Sequence, residues 1–351
     1  LSDTYADLQL AYPGDDTSAN GTNLYGNLKQ LYLLKKKNRS LKTMFSIGGY
    51  TYSPNYIPVL ASESMRATFA SSAVSILANL GFDGINIDYE YVTNSDQATQ
   101  LVDLLKKLRT GLDAYASSTS SSPFLLTFCS PAGPDHYKQL DFQGMDQYLD
   151  FWDYMGFDYT GGWSSISGHS ANLFEDFNNP LSTPFNTSSA LAYYFSEGGI
   201  HPSKVNLGSP LYAHAFADTD GPGKPCNGSG TAGSFGSAGI WDYKALPLSG
   251  SNVTAHDLRR VGASYTYDKQ QRYMISYDTP TIAKIKAEYV VSQGLGGSMW
   301  WEVSMDKVGS ESLIATSVGV FGGSAGLDGG YNHLAYPESE YVNLREGFPG
   351  E

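Results

Sequence analysis

Apolar runs of strand length alternate with amphipathic stretches of helix length along most of the chain, and this restricts the fold more than any other feature. The strand candidates are LKTMFSIGG near 41–49, GINIDYE at 84–90, FLLTFCS at 124–130, FWDYMGFD at 151–158, KVNLGSPLY at 204–212 and LGGSMWWE at 295–302. After the polar stretch 1–24 a helix is expected to about Lys37, with Leu28, Leu31 and Leu34 on one face. Ser62 reads as the N-cap of a second helix, with Met65, Phe69, Ala73 and Leu77 as its inner stripe and Gly81 closing it. A third runs from about Asp96 to Ser117 on Leu101, Leu104, Leu105, Leu108 and Leu112, and Thr279 followed by Pro280 opens a fourth. Strands separated by helices predict a parallel sheet, because parallel neighbours need a crossover connection.

Ser46, Asp88, Glu90, Ser130, Asp158, Tyr212 and Glu302 stand at the C-terminal ends of these runs. That placement favours an α/β barrel of the TIM type, (β/α)8, whose functional groups collect at that face. An open doubly wound sheet usually carries a Gly-rich phosphate loop after its first strand. GPGKP at 221–225 does not qualify, since it lacks the closing GK[ST] and a following helix. The segment 216–278 is too long for one crossover and is rich in Gly, Tyr and short β-like runs; it reads as a small α+β insertion domain. Residues 1–215 and 279–335 then form the barrel and 336–351 a C-terminal tail. Only six barrel strands are legible where closure needs eight, so the first two are expected before residue 1, on about 35 to 45 further residues.

In GINIDYE, residues two apart share a face, so Asn86, Asp88 and Glu90 point one way and Ile85, Ile87 and Tyr89 the other. Two carboxylates aimed into a core are costly unless paired or used. The formal net charge of −13 argues against nucleic acid and anionic membrane as partners. No apolar run approaches membrane length, and no metal-ligand spacing or nucleophile elbow is present. Cys129 and Cys226 read as two free thiols. Five N-x-Ser/Thr sequons, at Asn20, Asn38, Asn186, Asn227 and Asn252, lean towards a secreted, extracellular glycoprotein.

Four motifs, in order, resemble the family 18 chitinases of the secreted fungal type. SIGGY at 46–50 is similar to the family's Ser-x-Gly-Gly segment and DGINIDYE at 83–90 to Asp-Gly-x-Asp-x-Asp-x-Glu. MGFDYTG at 155–161 resembles Met-x-Tyr-Asp, and GGSMWWE at 296–302 the last-strand segment that supplies a Trp. The resemblance implies retaining hydrolysis of β-1,4-linked N-acetylglucosamine in chitin or chito-oligosaccharides, by a monomer with no cofactor and no metal. It makes Glu90 the general acid, Asp88 its partner, and Asn86 and Asp158 members of the catalytic group. It makes Tyr50, Met155, Phe157, Tyr212, His214 and Trp301 substrate contacts. Asp83, the first motif residue, reads as a structural pin below the site.

The chain departs from the family pattern at several positions. Asn86 stands where the family has Asp and cannot share a proton with Asp88, though it can donate a hydrogen bond to it. Slower turnover and an altered pH profile are expected. Phe157 replaces a Tyr, and Tyr159, on the opposite face from Asp158, is a poor substitute. Ala213 and His214 replace Gly-Arg, and Tyr50, Tyr52 and Tyr89 stand where relatives often have Trp. These changes keep open a non-hydrolysing chitin-binding lectin on the same fold, and more weakly an endo-β-N-acetylglucosaminidase acting on glycans.

Overall fold

The computed structural model of the chain describes residues 3, 5–18, 21–249 and 253–351. They fall into two compact units. One comprises Leu1–Cys129, Gly144–Asp150 and Asp328–Glu351; the other comprises Ser130–Gln143 and Phe151–Leu327.

In the first unit β1 (Met44–Gly48), β2 (Gly84–Asp88) and β3 (Leu125–Ser130) pair in parallel, in chain order. The register sets Ser46 opposite Asn86 and Asn86 opposite Thr127, so one row across the strands is polar. Ile85 and Ile87, pointing the other way, are fully buried. The helix Ser95–Ser118 buries Leu101, Leu104, Leu105, Leu108 and Leu112 completely, each worth roughly 2 kcal/mol of transfer free energy. Asn94 caps it by accepting from the Gln97 N–H. Ser62 caps the helix Glu63–Leu80 in the same way, and Gly81 ends it in the left-handed region at φ 80°.

Two helix faces differ from the expectation. In Gly26–Lys37 the buried positions are Lys29, Tyr32 and Lys35, while Leu31 and Leu34 are 37% and 50% exposed. The lysines can go inward because each finds partners there. Lys35 Nζ lies 3.0 Å from Asp83 and donates to the Gly81 carbonyl and the Tyr336 hydroxyl. Lys29 pairs with Asp15 at 2.9 Å. In Glu63–Leu80 the inner stripe starts late: Ala73 and Leu77 are buried, Met65 is exposed. Asp83 acts as the expected pin, accepting from the Thr43 and His333 N–H groups and so tying β2 to the C-terminal segment.

The second unit holds β4 (Phe151–Tyr154), β5 (Val205–Pro210), β6 (Tyr212–Phe216), β7 (Ile240–Asp242), β8 (Val253–Leu258), β9 (Ala263–Asp268), β10 (Tyr273–Ser276) and β11 (Gly297–Trp301). The strands β4, β5 and β11 pair in parallel; the other five form an antiparallel sheet in the order β7-β6-β10-β9-β8. KVNLGSPLY is therefore two strands, not one. Pro210, with no N–H to donate, ends β5. Leu211 donates to the Trp301 carbonyl, and Tyr212 opens the antiparallel sheet opposite Asp242. Thr279 caps the helix Pro280–Gln293 as the sequence implies.

The parallel strands are shorter than the apolar runs that announce them. Glu90, Asp158 and Glu302 all lie beyond the last paired residue of their strand. Both cysteines are free. Among the described residues no helix is long and apolar enough to cross a membrane. The Asn38 and Asn227 side chains are exposed and that of Asn186 is half-buried; the sequons at Asn20 and Asn252 lie outside the described residues.

Candidate active site

The first cluster grows out of β2. Asn86 is buried within the polar row: its Oδ1 accepts from Ser46 Oγ at 2.7 Å and from Cys129 Sγ at 3.2 Å. Its Nδ2 donates to Thr127 Oγ1 at 2.8 Å. The expected donation from Asn86 to Asp88 is not how the amide is used. Hydroxyls on the neighbouring strands stand level with it, whereas Asp88 is two residues along the same strand.

Asp88 closes β2, and its carbonyl accepts from the Gly49 N–H at 2.9 Å. That approach requires glycine at position 48, which sits at φ 122° and whose Cβ would come within 2.0 Å of the Asp88 carbonyl oxygen. Glu90 is not in the strand, so strand alternation alone does not orient it. Its N–H is held by Ser53 Oγ at 2.7 Å, and Ser53 Oγ in turn donates to the Gly49 carbonyl. The Glu90–Tyr91 peptide is cis. Asp88 and Glu90 are half-buried while Tyr89 between them is buried, its hydroxyl on Gln97 Oε1. Beneath them the Tyr56 ring packs on Tyr89 at 4.9 Å, and its hydroxyl donates to the Ile47 carbonyl. Burial first, then the electrostatic influence of Asp88 and Cys129, pushes the Tyr56 hydroxyl above its ordinary range. Tyr50, on the loop after β1, is 76% exposed.

The second cluster lies in the second unit. Four residues beyond β4, Asp158 adopts φ 60°, and its Oδ1 accepts from Tyr212 Oη at 2.5 Å and from His214 Nε2 at 2.7 Å. Tyr212 and His214 project two apart from β6, which explains why both reach one oxygen. The Asp158 side chain is about half exposed and His214 is buried. Phe157 stands edge-on to the Tyr212 ring at 6.1 Å, and Met155 is buried beside it in sequence, its N–H on the Ser130 carbonyl. Trp301 ends β11, exposed, while its neighbour Trp300 packs into the apolar cluster around Leu211 and Met305.

Two residues in these clusters were not singled out from the sequence. Ser53 anchors the Glu90 backbone from a 3₁₀ turn that no periodicity announces. Trp163 is 65% exposed, stands edge-on to His214 at 5.1 Å, and has its ring in the space a Cβ on Gly161 would take. The signal for it was present as the GGW run five residues past Asp158. Met155, Phe157, Asp158, Tyr212 and His214 thus gather in one unit, and Tyr50, Asn86, Asp88 and Glu90 in the other.

Comparison with known proteins is consistent across sequence and structure. The model for glycosyl hydrolases family 18 matches residues 3–306. Chitinase 1 of Aphanocladium album is 45% identical over 346 residues, covering 98% of this chain and 80% of that protein. The chitinase ChiA74 from Bacillus thuringiensis superposes with a TM-score of 0.84 at 28% identity over 92% of this chain; the match spans 57% of its own chain, less than two thirds. Human YKL-39, described as a pseudo-chitinase with retained chito-oligosaccharide binding, gives a TM-score of 0.77 at 25% identity, covering 84% of each chain. The parallel strands with their helices, and the antiparallel sheet inserted after β5, are those of the α/β TIM-type barrel in these structures. The chain belongs to the glycosyl hydrolases of family 18.

Proposed function

We propose that the chain is a chitinase that hydrolyses β-1,4-N-acetylglucosamine linkages with retention, Glu90 serving as general acid and base. The observation that carries this reading is the end of β2: Asp88 closes the strand, and Glu90 follows with its backbone fastened by Ser53. A proton donor held rigidly two residues from a carboxylate suits a reaction in which both groups address one sugar. Glu90 protonates the glycosidic oxygen as the C1–O bond breaks, and the carbonyl oxygen of the substrate's own 2-acetamido group bonds to C1. The resulting oxazolinium ion is opened by water, which passes a proton to the Glu90 carboxylate, so the product keeps the β configuration. Asp88 accepts the acetamido N–H and balances the positive charge. Asp158 and Tyr212 hold the sugar and its acetamido group, His214 and Phe157 shape that grip, and Trp301, Trp163 and Tyr50 offer flat apolar faces to sugar rings. The name of the Aphanocladium relative supports chitin as the polymer. The chain acts as a monomer outside the cell, and the exposed sequons at Asn38 and Asn227 agree with passage through a secretory route.

The alternative is a binder that does not hydrolyse, as the description of human YKL-39 illustrates. Asn86, Phe157 and His214 favour it; a Glu90 set up as above favours catalysis. Hydrolysis of a soluble chito-oligosaccharide by the parent and by Glu90→Gln separates the two. Catalysis predicts early β-anomer from the parent and a loss of 10²–10⁴-fold in the variant, the usual contribution of a positioned acid, with binding retained. Binding without turnover by both proteins would establish the lectin.

A further inference from the structure

We propose that Tyr159 is a positioning residue, whose hydroxyl, clamped between Tyr154 and Thr187, holds Asp158 in the conformation that meets the substrate. This rests on the role given to Asp158 above. Among the described residues Asp158 is one of five non-glycine residues at positive φ, at 60°. Such a backbone is uncommon for a residue with a side chain and persists where the surroundings hold it. The carboxylate itself is half exposed and makes its contacts through a single oxygen, so the restraint has to come from the residues beside it.

Those residues are tied down. The Phe157 N–H donates to the Met155 carbonyl at 2.8 Å, and the Tyr159 N–H donates to the Ser170 carbonyl at 3.0 Å. The Ser170 N–H is in turn fixed by Ser276 Oγ on β10. The Tyr159 ring is buried, and its hydroxyl meets Tyr154 Oη at 2.9 Å and Thr187 Oγ1 at 2.7 Å. Burial pushes both tyrosine hydroxyls above their ordinary range, so they remain neutral donors and acceptors. Thr187 is itself immobilised: its Oγ1 and N–H both reach the Asn172 carbonyl at 3.2 Å, at the start of a helix that Asn186 caps. With residue 159 pinned inward at both its backbone and its hydroxyl, residue 158 delivers its carboxylate to Tyr212 and His214 by taking the left-handed turn. None of the clamp groups is exposed, so their effect on substrate runs through Asp158.

The test is a double-mutant cycle on chito-oligosaccharide hydrolysis, with Tyr159→Phe, Asp158→Asn and the pair. Tyr159→Phe is expected to lower kcat/KM about tenfold in the parent, a barrier change of one decade, and less than twofold on the Asp158→Asn background. An equal loss in both backgrounds, or none in the parent, overturns the clamp. If Asp158→Asn costs nothing, the role of Asp158 falls and the clamp with it; if Asp158→Asn is costly but the losses multiply, only the clamp falls. Thr187→Ser, which keeps the hydroxyl, is expected to retain parental kcat/KM, and Thr187→Val to lose it as Tyr159→Phe does. That pair decides the question even if Tyr159→Phe does not fold, and equal activity of the two would refute the clamp.

Discussion

Asp153→Asn should stabilise this protein above pH 6 and do nothing at pH 3. Asp153 projects from β4 at the level of Asn206 on β5, whose Nδ2 donates to its Oδ1 at 3.1 Å. Burial raises its pKa from 3.8 to about 6, and the single hydrogen bond from Asn206 offsets only part of that. A group whose folded pKa lies above its unfolded value favours folding when protonated, so its contribution is fully present below pH 3.8 and is lost as pH rises through 6. A rise of that size makes the charged form cost roughly 3 kcal/mol of stability at neutral pH. Asparagine keeps the acceptor that Asn206 uses and carries no charge. Urea unfolding of parent and variant at pH 3 to 8 should give curves that coincide at the acid end and diverge through pH 4–6, the variant more stable by up to that amount. A stability difference independent of pH would refute the reasoning, because it would place the effect in packing rather than in charge.

His169 should behave in the opposite sense. It is completely buried against Tyr265, and burial lowers its pKa from 6.5 to about 4, with the Asp176 charge opposing. Its contribution is present above pH 6.5 and lost as pH falls through 4, so parent stability should drop by roughly 3 kcal/mol over that window; His169→Phe should remove that slope, and an unchanged slope in urea melts would count against it. Asn86→Asp should raise kcat and shift the pH–rate profile, with the Thr127 hydroxyl turning from acceptor to donor at the 2.8 Å contact. An unaltered profile would show that proton sharing between residues 86 and 88 does not limit turnover here.

Much of this architecture was legible in residue order. Ile85 and Ile87 against Asn86 and Asp88, the five leucines of Ser95–Ser118, and the caps at Ser62 and Thr279 are local patterns, set by strand and helix periodicity and by the needs of a helix end. They survive folding because each depends on neighbours within a few residues. The faces that misread are those where a distant partner changed what burial costs. Lys35 goes inside because Asp83, Gly81 and Tyr336 meet it, and the leucines beside it turn out to solvent.

The same division runs through the site. Which groups are the candidates for the chemistry could be read from DGINIDYE, from Asp158 after MGF, and from Tyr212 and His214 two apart. How they are aimed was decided by the tertiary structure. Glu90 lies past its strand and takes its anchor from Ser53, 37 positions away; the Asn86 amide turns to Thr127 on the next strand; Asp158 adopts φ 60° beside a tyrosine whose hydroxyl meets Thr187. A sequence determines which donors and acceptors exist, but hydrogen-bond choice depends on distances of a few tenths of an ångström between groups far apart in the chain, and only packing sets those.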